Sequence, residues 1–528
     1  MTNSNFDVIV IGAGHNGLIC ATYLAKSGLK VLVLEANAQP GGAATTNQFS
    51  NGFLVSSCAQ WLMQLSPEIS KDLALSKHGL QLAAKNLNTI ALDVGGNNIV
   101  IDGNKIAGAG LTEADKAAFK QFYKQTYKFS KLLSAAFKRR PPKLVENNLT
   151  DRLTLLKLGI DIKLLGKADM QDLLRMALMN IYDVLEENFE NELLKAALSL
   201  DGVMGSHMGP RSPNTLFGYL YRHLAEVHGF KGPAVVKGGM GAVGEALAGA
   251  AKACGVKIRY NVKVDKINIE AAVATAVVLA KDATGNAEII SAATIVSNAD
   301  PKTTFEKLVG YRNIETGVVR HVHNIRMQGN TAKLHLALDG LPSFNGVADK
   351  DLGNRLLISP TMQYIEKAFN HAKYGEFSAA PAMDISIPTV HDPSLAPEGK
   401  HVLSAIIQFA PYELKQGWND QTRETFKQLL IDCIAQYAPA IRDLIVDSEL
   451  LTPVDLENKF HLYGGHWHHG ELSLDQIMMM RPFPGATQYA TSIDGLFLCG
   501  AGSHPGGGVM GFAGRNAAKE IINRGKSA

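Results

Sequence analysis

An α/β fold organised around a parallel sheet is predicted by three stretches of this chain. Residues 6–11, Phe-Asp-Val-Ile-Val-Ile, are a short apolar run of the kind that becomes a parallel strand covered on both faces. Gly12-Ala-Gly-His-Asn-Gly17 follows at once, and then a helical pattern over 18–27 that stops at Gly28. A second apolar run, 30–34, ends at Glu35 and completes one β-α-β unit in about 30 residues. Far downstream, the apolar run 496–499 passes into the glycine-rich block 500–508 and a helix that reaches about Ile522.

Between these ends the pattern changes twice. Residues 110–200 read as helices, divided by Pro141-Pro142. Residues 230–300 return to α/β. There Val235-Val236 leads into Gly238-Gly239-Met240-Gly241, a helix covers 242–253, residues 256–267 read as strand, and 294–298 form another short strand. Residues 320–450 mix both types. Glycine turns at both ends and in the middle predict one discontinuous domain made of 1–95, 228–310 and 455–528. An α+β domain, 96–227 and 311–454, is inserted between its pieces.

Length and composition narrow the class. At 528 residues the chain can build two sizeable cores. It is 46% hydrophobic and 19% charged with a net charge of +3, and no basic run is interleaved with aromatics, so a nucleic-acid partner is not expected. The five cysteines are an odd number, widely spaced, and none forms C-x-x-C, which fits free thiols in a reducing compartment and argues against dithiol redox chemistry. The first apolar run is too short for a signal peptide, and no run of about 20 apolar residues suggests a membrane span. A cytoplasmic protein is the expectation.

The N-terminal block carries the chemistry. Gly12, Gly14 and Gly17 satisfy G-x-G-x-x-G with a strand before and a helix after, as a diphosphate site requires. The first glycine makes a tight turn, the second lets a pyrophosphate approach the backbone, and the third lets helix and strand pack closely. Ala13, His15 and Asn16 fill the loop, and the helix start offers N–H groups and the positive end of a dipole. Glu35 stands 21 residues after Gly14, placed for ribose hydroxyls, and favours an unphosphorylated adenosine ribose, hence FAD or NAD over NADP. Ala36 follows it. The pair Gly41-Gly42, with Ala43-Ala44 next, then separates the two: a glycine pair about six residues past the ribose acid is characteristic of FAD enzymes of the glutathione-reductase and amine-oxidase type.

At this point the sequence resembles the phytoene-desaturase and amine-oxidoreductase superfamily of flavoproteins. Three further blocks carry the resemblance. They are Lys237-Gly-Gly-Met-Gly-Ala-Val-Gly-Glu-Ala-Leu247 with the following 255–267, then Val296-Ser-Asn-Ala-Asp-Pro301, then the stretch 495–511. The segments 465–476, Arg481-Pro482 and 499–518 look most like one phytoene-dehydrogenase-like branch, the pyridine nucleotide-disulphide oxidoreductase domain-containing protein 2 group, although this chain has no C-x-x-C. The resemblance implies an interrupted FAD-binding Rossmann-like domain with an inserted α+β substrate domain. It implies that Gly12, Ala13, Gly14, His15, Asn16, Gly17, Glu35 and Ala36 hold the ADP half, and that Gly41, Gly42, Ala43 and Ala44 run beside the ribityl chain and flavin. Val264 would meet the adenine, and Gly500, Ala501, Gly502, Met510 and Gly511 would close over pyrophosphate and flavin. A helix starting near Val509 would aim N–H groups at the flavin N1/C2=O edge, which gains negative charge on reduction. Carotenoid desaturases usually carry an acid soon after the early Gly-Phe; Asn51-Gly-Phe-Leu-Val-Ser-Ser57 has none, so the likeness does not extend to a carotenoid substrate.

Weaker signals stay open. Gly239, Gly241 and Gly244 repeat G-x-G-x-x-G, and Arg259 could take a 2′-phosphate, which would make a second, NADPH site. The reading favoured instead is that Gly238 and Gly239 bring backbone near the flavin. His461, His466, His468 and His469 lack metal-ligand spacing, so no metal is expected. His466 and His468 stand as candidates to face a substrate, and His504 as an acid/base or a loop-shaping residue. Lys131, 138–140 and Lys143 adjoin the leucine-rich stretch 153–178. An amphipathic pair covering the inserted domain is favoured there over a segment resting peripherally on an anionic membrane. The expected function is FAD-dependent oxidation or desaturation of a mainly apolar small molecule by hydride transfer to flavin N5. An amine-oxidase-like activity, an NADPH-linked reductase and a structural or assembly role without turnover are the alternatives.

Overall fold

The computed structural model describes residues 6–143, 145, 148–281 and 285–526. Five strands form a wholly parallel sheet: β1 Val8–Ile11, β2 Val31–Leu34, β3 Lys257–Arg259, β4 Thr294–Ser297 and β5 Leu496–Leu498, in the spatial order β3-β2-β1-β4-β5. Three stretches far apart in sequence therefore make one sheet. Its strands are continuous apolar runs because both faces are covered. Val8, Val10, Val31 and Val33 join the core formed with helices α1 (His15–Lys26), α2 (Gly241–Ala253) and α3 (Phe512–Gly525). Ile9, Ile11, Leu32 and Leu34 join Val264, Ile267, Val277 and Leu279 of a three-stranded antiparallel layer. Each such side chain, once buried, contributes about 2 kcal/mol.

Two elements differ from the sequence reading. Residues 256–267 are not one strand. β3 ends before Asn261, whose φ of +56° turns the chain, and a new strand, Val264–Glu270, enters the antiparallel layer. Asparagine tolerates that left-handed conformation better than most residues. The last helix does not begin near Val509. It begins at Phe512, because Gly511 at φ +85° is its N-cap.

The second layer is an eight-stranded sheet. Its spatial order is Ile445–Leu451, Thr331–Leu338, His401–Gln408, Met383–Ser386, Arg355–Ile358, Thr89–Ala91, Ile99–Asp102 and Lys105–Gly108. Its pairings are antiparallel except Arg355–Ile358 with Thr89–Ala91. Residues 89–91, which the sequence assigns to the first dinucleotide segment, thus belong to this larger sheet. One face packs against helices Glu113–Phe137, Glu192–Val203 and Thr215–Arg222, the other against Asp420–Ala435. Among the described residues no helix is long and apolar enough to cross a membrane.

Candidate cofactor and substrate site

A cavity of ≈ 570 Å³ opens beyond the carboxyl ends of β1, β2 and β4. Of the residues expected to hold a cofactor, Gly12, Gly14, His15, Asn16, Glu35, Ala36, Gly41, Gly42, Ala43, Val264 and Ala501 border it. The loop that brings them together is built locally. Gly12 adopts φ +95°, and Gly17 lets α1 press onto the loop where a Cβ would collide with the Gly12 carbonyl. The Ala13 N–H donates to Glu35 Oε2 at 2.6 Å and the Asn37 N–H to Oε1 at 2.8 Å, so the carboxylate is fixed at the cavity edge. The Gly41 N–H donates to the Ala13 carbonyl at 2.9 Å, which docks the glycine pair on the first loop.

The remaining predicted residues lie behind this wall. Ala13 and Gly17 shape the loop, and Ala44 borders a neighbouring cavity. Gly500 abuts the Asn298 carbonyl and Gly502 abuts Pro301. Gly511 caps α3 against Ile19, and Met510 is buried with its carbonyl accepting from the Ser66 N–H at 3.2 Å. Sequence reasoning misses Asn298, although the block 296–301 that contains it stands out. Its amide sits over the glycine loop, 2.6 Å from where a Gly14 Cβ would stand.

The cavity suits a dinucleotide. Gly14 is the N-cap of α1 and supplies no side-chain cap, which leaves first-turn N–H groups for a diphosphate. The buried His15 Nε2 and His469 Nδ1 border the cavity with no protein partner. Burial pushes the two imidazoles down to about 4 and about 3, so both are neutral at pH 7. Glu35→Gln is expected to weaken FAD binding about thirtyfold, because a charged acceptor is replaced by an amide and its loop bond is weakened. Fluorescence titration of the apoprotein with FAD measures this; an unchanged Kd would remove Glu35 from the site.

A second, mainly apolar cavity of ≈ 150 Å³ meets the first at His15, Ala43 and Trp467. Its walls include Trp61, Met63, Met204, Ile406 and Val509. Val509 has φ +59°, a conformation in which a β-branched side chain is strained, and such strain gathers where function over-determines the backbone. One corner is polar. Arg222 Nε lies 3.0 Å from Asp201 Oδ1, and Arg355 bridges Asp201 at 2.7 Å and Asp384 at 2.8 Å. The Trp61 indole N–H donates to Asp384 at 3.0 Å. Burial alone would raise the Asp201 carboxyl, but the two guanidiniums hold it far below the usual carboxylate range. Behind the wall, Lys333 donates to Gln60 Oε1 at 2.5 Å, and burial lowers its ammonium to about 7 despite Cys58 and Asp384 nearby. No motif in the sequence singles out Lys333, Asp201, Arg222, Arg355 or Asp384.

The histidines divide. His468 is half-buried, borders the apolar cavity and is held well below its ordinary value by desolvation. His466 borders neither cavity. Its Nε2 lies 3.7 Å from Glu471 Oε2, and its Nδ1 accepts the His468 N–H at 3.2 Å. His504 also borders neither; its ring packs edge-on against Phe137, centroids 5.6 Å apart, and burial lowers it to about 4. The geometry therefore favours the loop-shaping role for His504 and a supporting one for His466. Among the described residues no three His, Cys, Asp or Glu side chains gather as a metal site. Arg481 ties the two late blocks together, donating to the carbonyls of Ala501, Glu471 and Gln476 at 3.0–3.2 Å.

The second glycine motif is a packing device. Gly239 and Gly241 approach Thr46, and Gly244 approaches Gly41, each where a Cβ would collide. The first N–H groups of α2 are already taken: Met240 donates to Ser56 Oγ at 3.0 Å and Gly241 to Thr46 Oγ1 at 2.9 Å. Arg259 is held by Glu288 through two bonds of 2.8 and 2.7 Å. These groups are therefore committed within the protein rather than offered to a second nucleotide, and Gly238 and Gly239 serve Thr46 rather than the cavity.

Comparison with known proteins agrees with this architecture. The family model described as flavin containing amine oxidoreductase matches residues 17–522. The pyridine nucleotide-disulfide oxidoreductase domain-containing protein 2 of Mus musculus is 34% identical over 557 residues, spanning 98% of this chain and 93% of the mouse protein. A limonene dehydrogenase component of Castellaniella defragrans is 27% identical over 98% of this chain and 94% of its own. Among solved structures, cyclohexylamine oxidase from Brevibacterium oxydans superposes with a TM-score of 0.60 at 15% identity over 99% of both chains, a likeness of fold. The chain belongs to the flavin-containing amine oxidoreductase family and is an FAD-dependent oxidoreductase.

Proposed function

We propose that this oxidoreductase oxidises or desaturates a neutral, mainly apolar small molecule bearing one oxygen acceptor. The observation that carries the reading is the polar corner of the small cavity. Asp201 is the one carboxylate among its described lining residues, and it is already shared between Arg222 and Arg355. An ammonium substrate would find no free counter-charge there. Arg222 Nε is buried close to Asp201 without an aligned hydrogen bond, so it suits a carbonyl or hydroxyl oxygen. FAD supplies the hydride acceptor at N5. The protein's part is to hold the apolar body against Trp61, Met204 and Ile406 and to exclude water. The name of the Castellaniella relative, a limonene dehydrogenase component, supports an apolar substrate.

The test is anaerobic mixing of the FAD-loaded protein with panels of neutral terpenoid-like alcohols, ketones and alkenes, and with primary and secondary amines. Bleaching of the flavin by neutral apolar compounds and not by amines is expected. Bleaching by amines at equal or greater rate would make it an amine oxidase instead.

A further inference from the structure

Helix Leu149–Lys163 presents leucines on the wrong side. At 100° per residue, Asp151, Leu155, Leu158 and Ile162 share one arc, and these are buried or half-buried. The opposite arc, about 80° wide, carries Leu149, Leu153, Leu156, Ile160 and the C-cap Leu164. All five are exposed, Leu149 by 73%, Leu156 by 59% and Leu164 by 78%. The next helix, Lys167–Met176, adds exposed Leu174, and Leu178 follows it. The segment therefore does not simply cover the inserted domain; helix Leu149–Lys163 turns a continuous apolar stripe outward. Stripes of this size on otherwise ordinary surfaces mark a partner.

Charge identifies the partner. The acids of the two helices are turned inward and occupied. Asp151 pairs with Arg140 at 3.1 Å, Asp161 with Arg139 at 3.4 Å and Asp169 with Lys128 at 2.5 Å, and Asp172 accepts from Gln125 at 2.8 Å. Lys157, Lys163 and Lys167 are exposed and make no ion pair with a described residue. On the helical projection Lys157 flanks the apolar stripe on one side and Lys163 on the other. Two such stripes facing each other in a dimer would crowd unpaired lysines together without available acids. An apolar stripe with lysines along both edges instead matches an anionic bilayer, where leucines enter the acyl boundary and ammoniums stay among headgroup phosphates. We propose that helices Leu149–Lys163 and Lys167–Met176 seat this protein on a membrane surface containing anionic lipid.

Flotation of the FAD-loaded protein with vesicles tests it, using phosphatidylcholine alone and phosphatidylcholine mixed with phosphatidylserine. The protein is expected to float with the mixed vesicles, less so in high salt. Lys157→Glu with Lys163→Glu should weaken the partition about thirtyfold. Leu153→Ser, Leu156→Ser and Ile160→Ser together should abolish it, while the flavin spectrum stays unchanged. No flotation with the mixed vesicles, or flotation indifferent to both variants, overturns the proposal. So does a dimer by light scattering that the triple serine variant converts to monomer.

Discussion

Arg355→Met is expected to cost about 3–5 kcal/mol of folding stability at neutral pH, because it removes the main guanidinium partner of Asp384, which is buried, and of Asp201, which is largely so. Arg355 is fully buried and holds Asp384 Oδ2 at 2.8 Å and Asp201 Oδ1 at 2.7 Å. Methionine fills much of the same space but leaves Arg222 as the remaining guanidinium for both acids. The pH dependence follows from Asp201, which the arginines hold below its unfolded value of about 3.9. Such a group contributes stability that is fully present above about pH 4 and is lost as pH falls through the lower folded value. The gap between wild type and variant should therefore be widest near neutrality and narrow in acid. Denaturant unfolding of the FAD-loaded proteins at several pH values measures it. Adding Asp384→Asn to the variant should recover part of the loss, since Asp201 and Arg222 then remain as one matched pair. A cost below about 1 kcal/mol would mean that the acids are compensated by something other than Arg355.

Lys333→Met should act in the opposite direction. Burial lowers the folded-state ammonium to about 7, whereas the unfolded chain titrates near 10.4. Between those values the unfolded state binds more protons, so wild-type stability rises with pH across the window. At and below pH 7 the full cost of the buried ammonium is present. Methionine removes that cost, and the variant should be more stable near neutrality by on the order of 3 kcal/mol, without this residue's slope between pH 7 and 10. Function should respond as well. Lys333 contacts Gln60, which borders the small cavity, so its charge is felt where substrate would lie. Wild-type flavin reduction is expected to show a step near pH 7 that the variant lacks. A variant that is less stable at pH 8 and keeps the step would show that Lys333 is neither desolvated nor coupled to the site.

These two residues mark where reading the chain alone stops. The strand Thr331–Leu338 runs Thr-Ala-Lys-Leu-His-Leu-Ala-Leu, an alternation that reads as one apolar face and one wet face. Every position is buried in the structure, because Gln60, Cys58 and their neighbours cover the face bearing Lys333 and His335. No local pattern announces a covering segment that lies some 270 residues away. The ring of Asp201, Arg222, Arg355 and Asp384 is invisible for the same reason: each is an ordinary charged residue until four elements converge.

Elsewhere the sequence identifies a residue but not its direction. The leucines of 149–164 are plain in the chain, but a helical wheel with apolar residues on both faces does not say which one meets the protein. His504 stands out within its glycine block, but whether it points to the cavity or to Phe137 depends on a helix from another part of the chain.

What the sequence by itself determined was the dinucleotide half of this protein. A tight turn, a close approach, a free helix start and an acid at the next strand's end are all contiguous within residues 8–35, so spacing alone places them. What only the tertiary structure decided was which charges are buried together, which glycines face a cavity and which face packing, and which leucines face outward. Those outcomes depend on desolvation and contact between segments distant in sequence, and neither quantity exists until the chain has closed on itself.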